Sequence, residues 1–158
     1  MASRYSVTKE KVEEIQSKWG AGIVKIGAVF TEKGDYEAVA KEHIDTLYAY
    51  DHSPVLFKPT KAVKEQFRST KDSALSYFVA TNGICPEDGG FAIQPWTKVR
   101  FENSDVVIHG DTALAMGNYY FTGTDGSETK VEYTFGYLMD KEGNLRINLH
   151  HSSIPFQA

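Results

Sequence analysis

The hydrophobic period of this chain changes once, near Phe91, and that change decides what it can fold into. Before it, Val12, Ile15, Trp19, Ile23, Ile26 and Phe30 recur every three or four residues, the spacing of one buried helix face. After it, apolar and polar residues alternate, the period of strands covered on one side. Helices followed by an antiparallel run of strands is an α+β pattern.

The elements read as follows. Thr8 caps a long helix that ends at Gly34-Asp35, although Gly20, Gly22 and Gly27 weaken it. A second helix carries Tyr36, Val39, Ala40, His43, Ile44 and Leu47, and Ser53-Pro54 stops it. Val55–Phe57 is a short strand. Thr60 caps a short helix over Lys61–Phe67, and Ser69 or Thr70 starts another that reaches about Val79. Strands are expected at 91–94, 97–102, 106–109, 113–122, 130–139 and 145–153, with hairpin turns at Asp125-Gly126 and Glu142-Gly143-Asn144. The expected fold is a strongly curved antiparallel sheet wrapped around the long helix, a cone-shaped barrel with a cavity at its open end. The 158 residues suit one domain, 1–158.

The last strand carries the chemistry. Alternation puts Leu145, Ile147, Leu149, His151 and Ser153 on one side, and the first three mark that side as buried. An imidazole and a hydroxyl then point inward, where an ionisable group needs a partner or a purpose. They are either satisfied core polars or the polar end of a reaction pocket. On the preceding strand Val131, Tyr133, Phe135, Tyr137 and Met139 share the inner face, which leaves Glu132 outside.

Composition removes several classes. Seventeen basic against twenty-one acidic residues give a net charge of −4, the wrong balance for a general nucleic-acid binder. The single cysteine, Cys85, allows no intrachain disulfide. No apolar run reaches membrane-spanning length, and Met1–Glu10 has no signal-like core. A cytoplasmic protein is expected, or one of an organelle stroma or matrix if a transit peptide preceded the chain. The five histidines form no chelating pair at strand or helix spacing, and no zinc motif is present. Lys58, Lys61, Lys64, Arg68 and Lys71 gather around Thr60. They read either as a solvated face or as a basic collar for an anion at a helix N-terminus.

The succession YAYDHSPVLFKPTKA, ALSYFVATNG, PWTKVRFEN, ALAMGNYYFTG, VEYTFGY and INLHHSSIPF closely resembles the iota-class carbonic anhydrases. These belong with the association domain of calcium/calmodulin-dependent protein kinase II in the nuclear-transport-factor-2-like superfamily. The resemblance runs from about residue 10 to residue 156. It implies a cone-shaped domain that pairs into homodimers, and reversible hydration of carbon dioxide to bicarbonate without metal or other cofactor. It implies a catalytic set of Thr60, Tyr77, His151 and Ser153, with Tyr133 joining Thr60, Tyr77 and Ser153 around the substrate. His151 would take a proton from a water held by Ser153 and Tyr77. An assembly module and an isomerase or dehydratase remain alternatives, the latter with Asp51 as the nearest carboxylate.

Overall fold

The computed structural model describes residues 6–158, so the first five residues of the leading stretch read for targeting signals lie outside the described residues. Helix α1 runs Lys9–Thr31, and the Thr8 side chain accepts a hydrogen bond from Lys11 N at 3.1 Å. Of its expected stripe, Val12, Ile15, Trp19, Ile23 and Ile26 are buried, while Phe30 near the helix end is exposed. Helix α2 (Tyr36–Leu47) is capped by Asp35 and packs beside α1. Strand β1 (Leu56–Lys58) and helix α3 (Lys71–Val79) follow, α3 beginning in a reciprocal Thr70–Ser73 capping box. Strands β2 (Trp96–His109), β3 (Thr112–Gly123), β4 (Glu128–Met139) and β5 (Leu145–Ser153) complete the chain. Among the described residues no helix is long and apolar enough to cross a membrane.

The sheet has the order β1-β5-β4-β3-β2, with β1 parallel to β5 and every other pair antiparallel. It curves around α1 without closing. Trp19 stands at the centre, meeting Phe78, Phe101, Phe121 and Phe135 edge-on at ring separations of 5.9 to 6.5 Å. Such contacts add roughly 0.5–1.5 kcal/mol per pair to the area buried.

Three expectations are corrected here. Residues 61–67 form no helix. Their amides turn outward instead, Val63, Lys64 and Glu65 N donating to the Glu87 carboxylate at 2.7, 2.9 and 2.7 Å. Phe91–Ile93 is a single 3-10 turn, and the two strands expected after it are one, with Ser104 left unpaired at a bulge.

The third correction decides the site. Along the β4–β5 ladder Gly136 pairs with Leu149 but Tyr137 pairs with Ile147, so Asn148 is an inserted residue. A bulge reverses the alternation beyond it. Leu145 and Ile147 are buried, and then so are His150 and Ser152, while His151 is exposed. His151 and Ser153 therefore do not reach the inner face. Gly136 makes room for the bulge, since a Cβ there would lie 2.8 Å from Leu149 Cβ. Gly136→Ala is expected to cost about 1–3 kcal/mol in urea unfolding, the usual overpacking penalty. Unchanged stability would show that the bulge does not need the bare backbone.

A second buried histidine, His43 on α2, has no partner for Nε2 and packs between Trp19 and Phe78. Gly22 of α1 admits the ring, as a Cβ there would sit 2.1 Å from Nδ1. Burial lowers its pKa from 6.5 to about 4. Between those values the unfolded chain binds the proton and the folded chain does not. Stability is thus complete above pH 6.5 and declines as pH falls towards 4, by roughly 3 kcal/mol at 1.36 kcal/mol per pKa unit. Urea midpoints at pH 7 and 4.5 measure this, and His43→Leu is expected to flatten most of the decline.

Candidate active site

Two ladders meet at His150. Parallel pairing with β1 sets Phe57 beside it and antiparallel pairing with β4 sets Phe135 on the other side. The imidazole is stacked between their rings, 4.7 Å from Phe57 and 4.1 Å from Phe135, with Trp19 edge-on at 5.5 Å. Both ring nitrogens are hydrogen-bonded, Nδ1 to the Tyr48 hydroxyl at 2.9 Å and Nε2 to the Tyr119 hydroxyl at 3.1 Å. The Trp19 indole N–H donates to the same Tyr48 oxygen at 3.0 Å.

From Tyr119 the contacts continue outward. Its hydroxyl meets Ser152 Oγ at 2.5 Å, and Ser152 Oγ meets Thr60 Oγ1 at 2.6 Å. Beside Thr60 on the cavity wall, the Tyr77 hydroxyl accepts from Lys61 N at 3.4 Å. Beside this line lies a small cavity bounded by Trp19, Phe57, Pro59, Phe78 and Phe91 together with Thr60, Tyr77, Tyr119, His150 and Ser152. As it stands the cavity has room for about one water.

The electrostatics follow from dryness. Burial first, and then the charges of His151 and His43, hold the His150 pKa well below 6.5. The imidazole is neutral at pH 7. Burial also raises Tyr119, against the opposing hydrogen bond from Ser152, and raises Tyr77, against those from Lys61 N and Thr60. Both stay protonated phenols. The loop over the cavity is anchored by Arg68, a residue of the expected basic collar that proves completely buried. It grips Asp88 at 2.6 and 2.8 Å and donates to the Ser73 carbonyl. Removing one member of such a pair costs about 3–5 kcal/mol, so the loop is fixed firmly. Lys71 is occupied by Asp45 and Asp51 on the surface, which also takes Asp51 away from the cavity.

Of the residues expected here, Thr60 and Tyr77 line the cavity. Thr60 caps no helix, so the anion site at a helix N-terminus falls away. His151 and Ser153 lie on the outer face, where they share a shallow depression with Met116, Asn118, Glu132 and Thr134. Tyr133 is buried on the inner face as expected, but its hydroxyl donates to Asn103 at 2.6 Å and it is not among the cavity walls. His150, Ser152, Tyr119 and Tyr48 are the residues that sequence reasoning missed. A glycine inside the β4 pattern, at Gly136, was the available sign of the bulge that admits the first two. Among the described residues no group of three or more His, Cys, Asp or Glu side chains gathers as a metal ion would require.

Known proteins resemble this chain along nearly its whole length. Residues 10–154 match the family described as metal-independent carbonic anhydrase. A metal-independent carbonic anhydrase from a Nostoc species is 41% identical over 155 residues, spanning 96% of this chain and 76% of that protein. The crystal structure of an iota-carbonic anhydrase from a cyanobacterium, complexed with bicarbonate, superposes with a TM-score of 0.95 at 40% identity, covering 100% of this chain and 98% of that one. A calcium/calmodulin-dependent protein kinase II association domain from Xanthomonas campestris shares the fold at a TM-score of 0.63 and 20% identity, over 100% and 95% of the two chains. With nearly its whole length matched, the chain belongs to the metal-independent carbonic anhydrases.

Proposed function

We propose that carbon dioxide is hydrated to bicarbonate, and bicarbonate dehydrated, in the cavity beside His150, with Ser152, Thr60, Tyr77 and Tyr119 as the working hydroxyls. The observation that carries this is the continuous hydrogen-bonded line from a neutral imidazole to a small cavity with aromatic walls.

Bulk water has a pKa of about 15.7 and is a poor nucleophile at pH 7. For the reaction the cavity widens to seat a water beside carbon dioxide, and the water gives up its proton as it attacks carbon. The proton passes through Ser152 and Tyr119 to His150 Nε2, each hydroxyl accepting one proton and releasing its own. General-base help of this kind contributes roughly 10²–10⁴-fold. Donors from Thr60 and Tyr77 stabilise the charge that grows on the carbon dioxide oxygens, and they act strongly because the walls exclude water. Phe57, Phe78, Phe91 and Trp19 supply an apolar pocket for the gas. Among the described residues no Asp or Glu lines the cavity, so the isomerase or dehydratase alternative lacks the carboxylate base it needs.

His150→Ala and Ser152→Ala are each expected to lower stopped-flow hydration at least 100-fold, whereas His151→Ala and Ser153→Ala stay within twofold of the unaltered chain. The reverse pattern would put the reaction on the outer face and end this assignment. Because the His150 pKa lies well below 6.5, the base is already unprotonated at neutral pH. Hydration is therefore expected to show no inflection near pH 6.5, and to persist after exhaustive chelation.

We also propose a homodimer through the outer face of the sheet. Val107, Leu114 and Met116 expose large apolar surfaces there on β2 and β3, and such patches mark interaction sites. Light scattering is expected to give twice the chain mass, and Met116→Lys to shift it towards one chain. A monomer in the unaltered protein would dismiss the pairing.

A further inference from the structure

The hydrogen-bonded line around His150 has a property that its individual contacts conceal. It starts at a group that can only donate, the Trp19 indole N–H, and ends at Thr60. Every member after Trp19, namely Tyr48, His150, Tyr119, Ser152 and Thr60, is neutral and carries one transferable proton. A row that starts at a pure donor holds one proton more than it has links. One hydrogen is left without an acceptor inside the protein. Leaving it unpaired in a dry interior is costly, so where it sits matters.

Tyr48 cannot hold it. Its hydroxyl touches only Trp19 Nε1 and His150 Nδ1, it is buried, and it is not among the cavity walls. Trp19 has no lone pair to offer on that nitrogen, so the Tyr48 proton has one acceptor, Nδ1. The proton of the neutral ring is then on Nε2 and goes to Tyr119. Tyr119 donates to Ser152 and Ser152 to Thr60. The surplus proton comes to rest on the Thr60 hydroxyl, which faces the cavity.

We propose that Trp19 and Tyr48 are positioning residues that fix His150 as the Nε2–H tautomer and so drive an unclaimed hydroxyl proton into the cavity, setting the empty site to receive an acceptor oxygen such as that of bicarbonate. Water activation requires the opposite polarity, with Ser152 and Tyr119 donating towards Nε2 and the ring proton on Nδ1. In that state Tyr48 accepts from both Trp19 and Nδ1–H, and its own proton has nowhere to go. The pair of residues therefore weights the two states of the site, favouring the one that binds product. The link to bicarbonate rests on the reaction assigned above, while the tautomer rests only on the hydrogen-bond count.

Long-range nitrogen–proton NMR of ¹⁵N-histidine-labelled, ligand-free protein reads the ring directly, with the His150 signals assigned by their disappearance in His150→Gln. A protonated Nε2 and a bare Nδ1 are expected, and a proton on Nδ1 overturns the proposal. In Tyr48→Phe both tautomers are expected to become populated, and the bicarbonate dissociation constant from NMR titration to rise about tenfold. Tyr50→Phe, whose ring stacks on Tyr48 at 5.9 Å but whose hydroxyl donates to the Arg68 carbonyl, is expected to change neither. If Tyr48→Phe leaves tautomer and affinity as they were, Tyr48 is core packing and the proposal fails. The spectrum needs no turnover, so the two readings fail separately. A chain that hydrates no carbon dioxide yet shows Nε2–H would defeat the reaction alone.

Discussion

One unpaired residue, Asn148, decides which face of the last strand does chemistry. Without its insertion opposite Gly136 and Tyr137, the ladder would carry His151 and Ser153 inward and leave His150 and Ser152 in solvent. With it, the inner face receives Leu145 and Ile147 below the bulge and His150 and Ser152 above. The hydrophobic half of the strand thus anchors the sheet in one register while its polar half enters the core in the other. A strand without the bulge could serve one set or the other, because side chains alternate strictly. The bulge costs backbone pairing, and Gly136 keeps that cost low by offering no side chain where Leu149 comes close.

Burying an imidazole between two phenyl rings looks wasteful until its nitrogens are counted. Nδ1 and Nε2 both have phenolic partners, so the neutral ring loses little on leaving water. His43 is the contrast within the same molecule. It is also buried, it touches the same Trp19, and its Nε2 has no partner among the described residues. One histidine is held by a network and the other only by packing. Acid opposes both, since each would have to be charged in a place that disfavours charge, yet only His150 has neighbours able to carry a proton to and from it.

The α+β arrangement was legible because it depends on period, and period survives local irregularity over long elements. The stripe on α1 and the inner face of β4 appear where the spacing puts them, and Thr60 and Tyr77 reach the cavity as the family resemblance implied. What failed were the positions where a single residue or a distant partner overrules local pattern. The Asn148 bulge shifts parity by one. Residues 61–67 have a helical composition, but Glu87, more than twenty residues later, takes their amides. Arg68 read as a surface cation because Asp88 and the carbonyls that bury it come from elsewhere in the chain. Tyr48 and Tyr119 carry no motif at all. They matter because three strands and two helices converge on His150, and convergence is not written in spacing.

The same dryness that makes the hydroxyl line effective also limits it. A base whose pKa is held well below 6.5 is free at neutral pH but has little thirst for a proton. A base with a pKa nearer the working pH takes a proton more readily. Zinc enzymes avoid this compromise by lowering the pKa of water itself to about 7. In this cavity hydroxide never has to exist. The proton leaves while the carbon–oxygen bond forms, and the cost of a transient imidazolium is offset by the donors that meet the new carboxylate oxygens. A row of neutral groups can do that only if it reverses polarity between the two halves of the cycle. Reversal means turning each hydroxyl about one bond and exchanging the ring proton between Nε2 and Nδ1, without moving a heavy atom. The stacking of His150 between Phe57 and Phe135 is what allows this, for it fixes the ring plane while leaving both nitrogens in line with their partners.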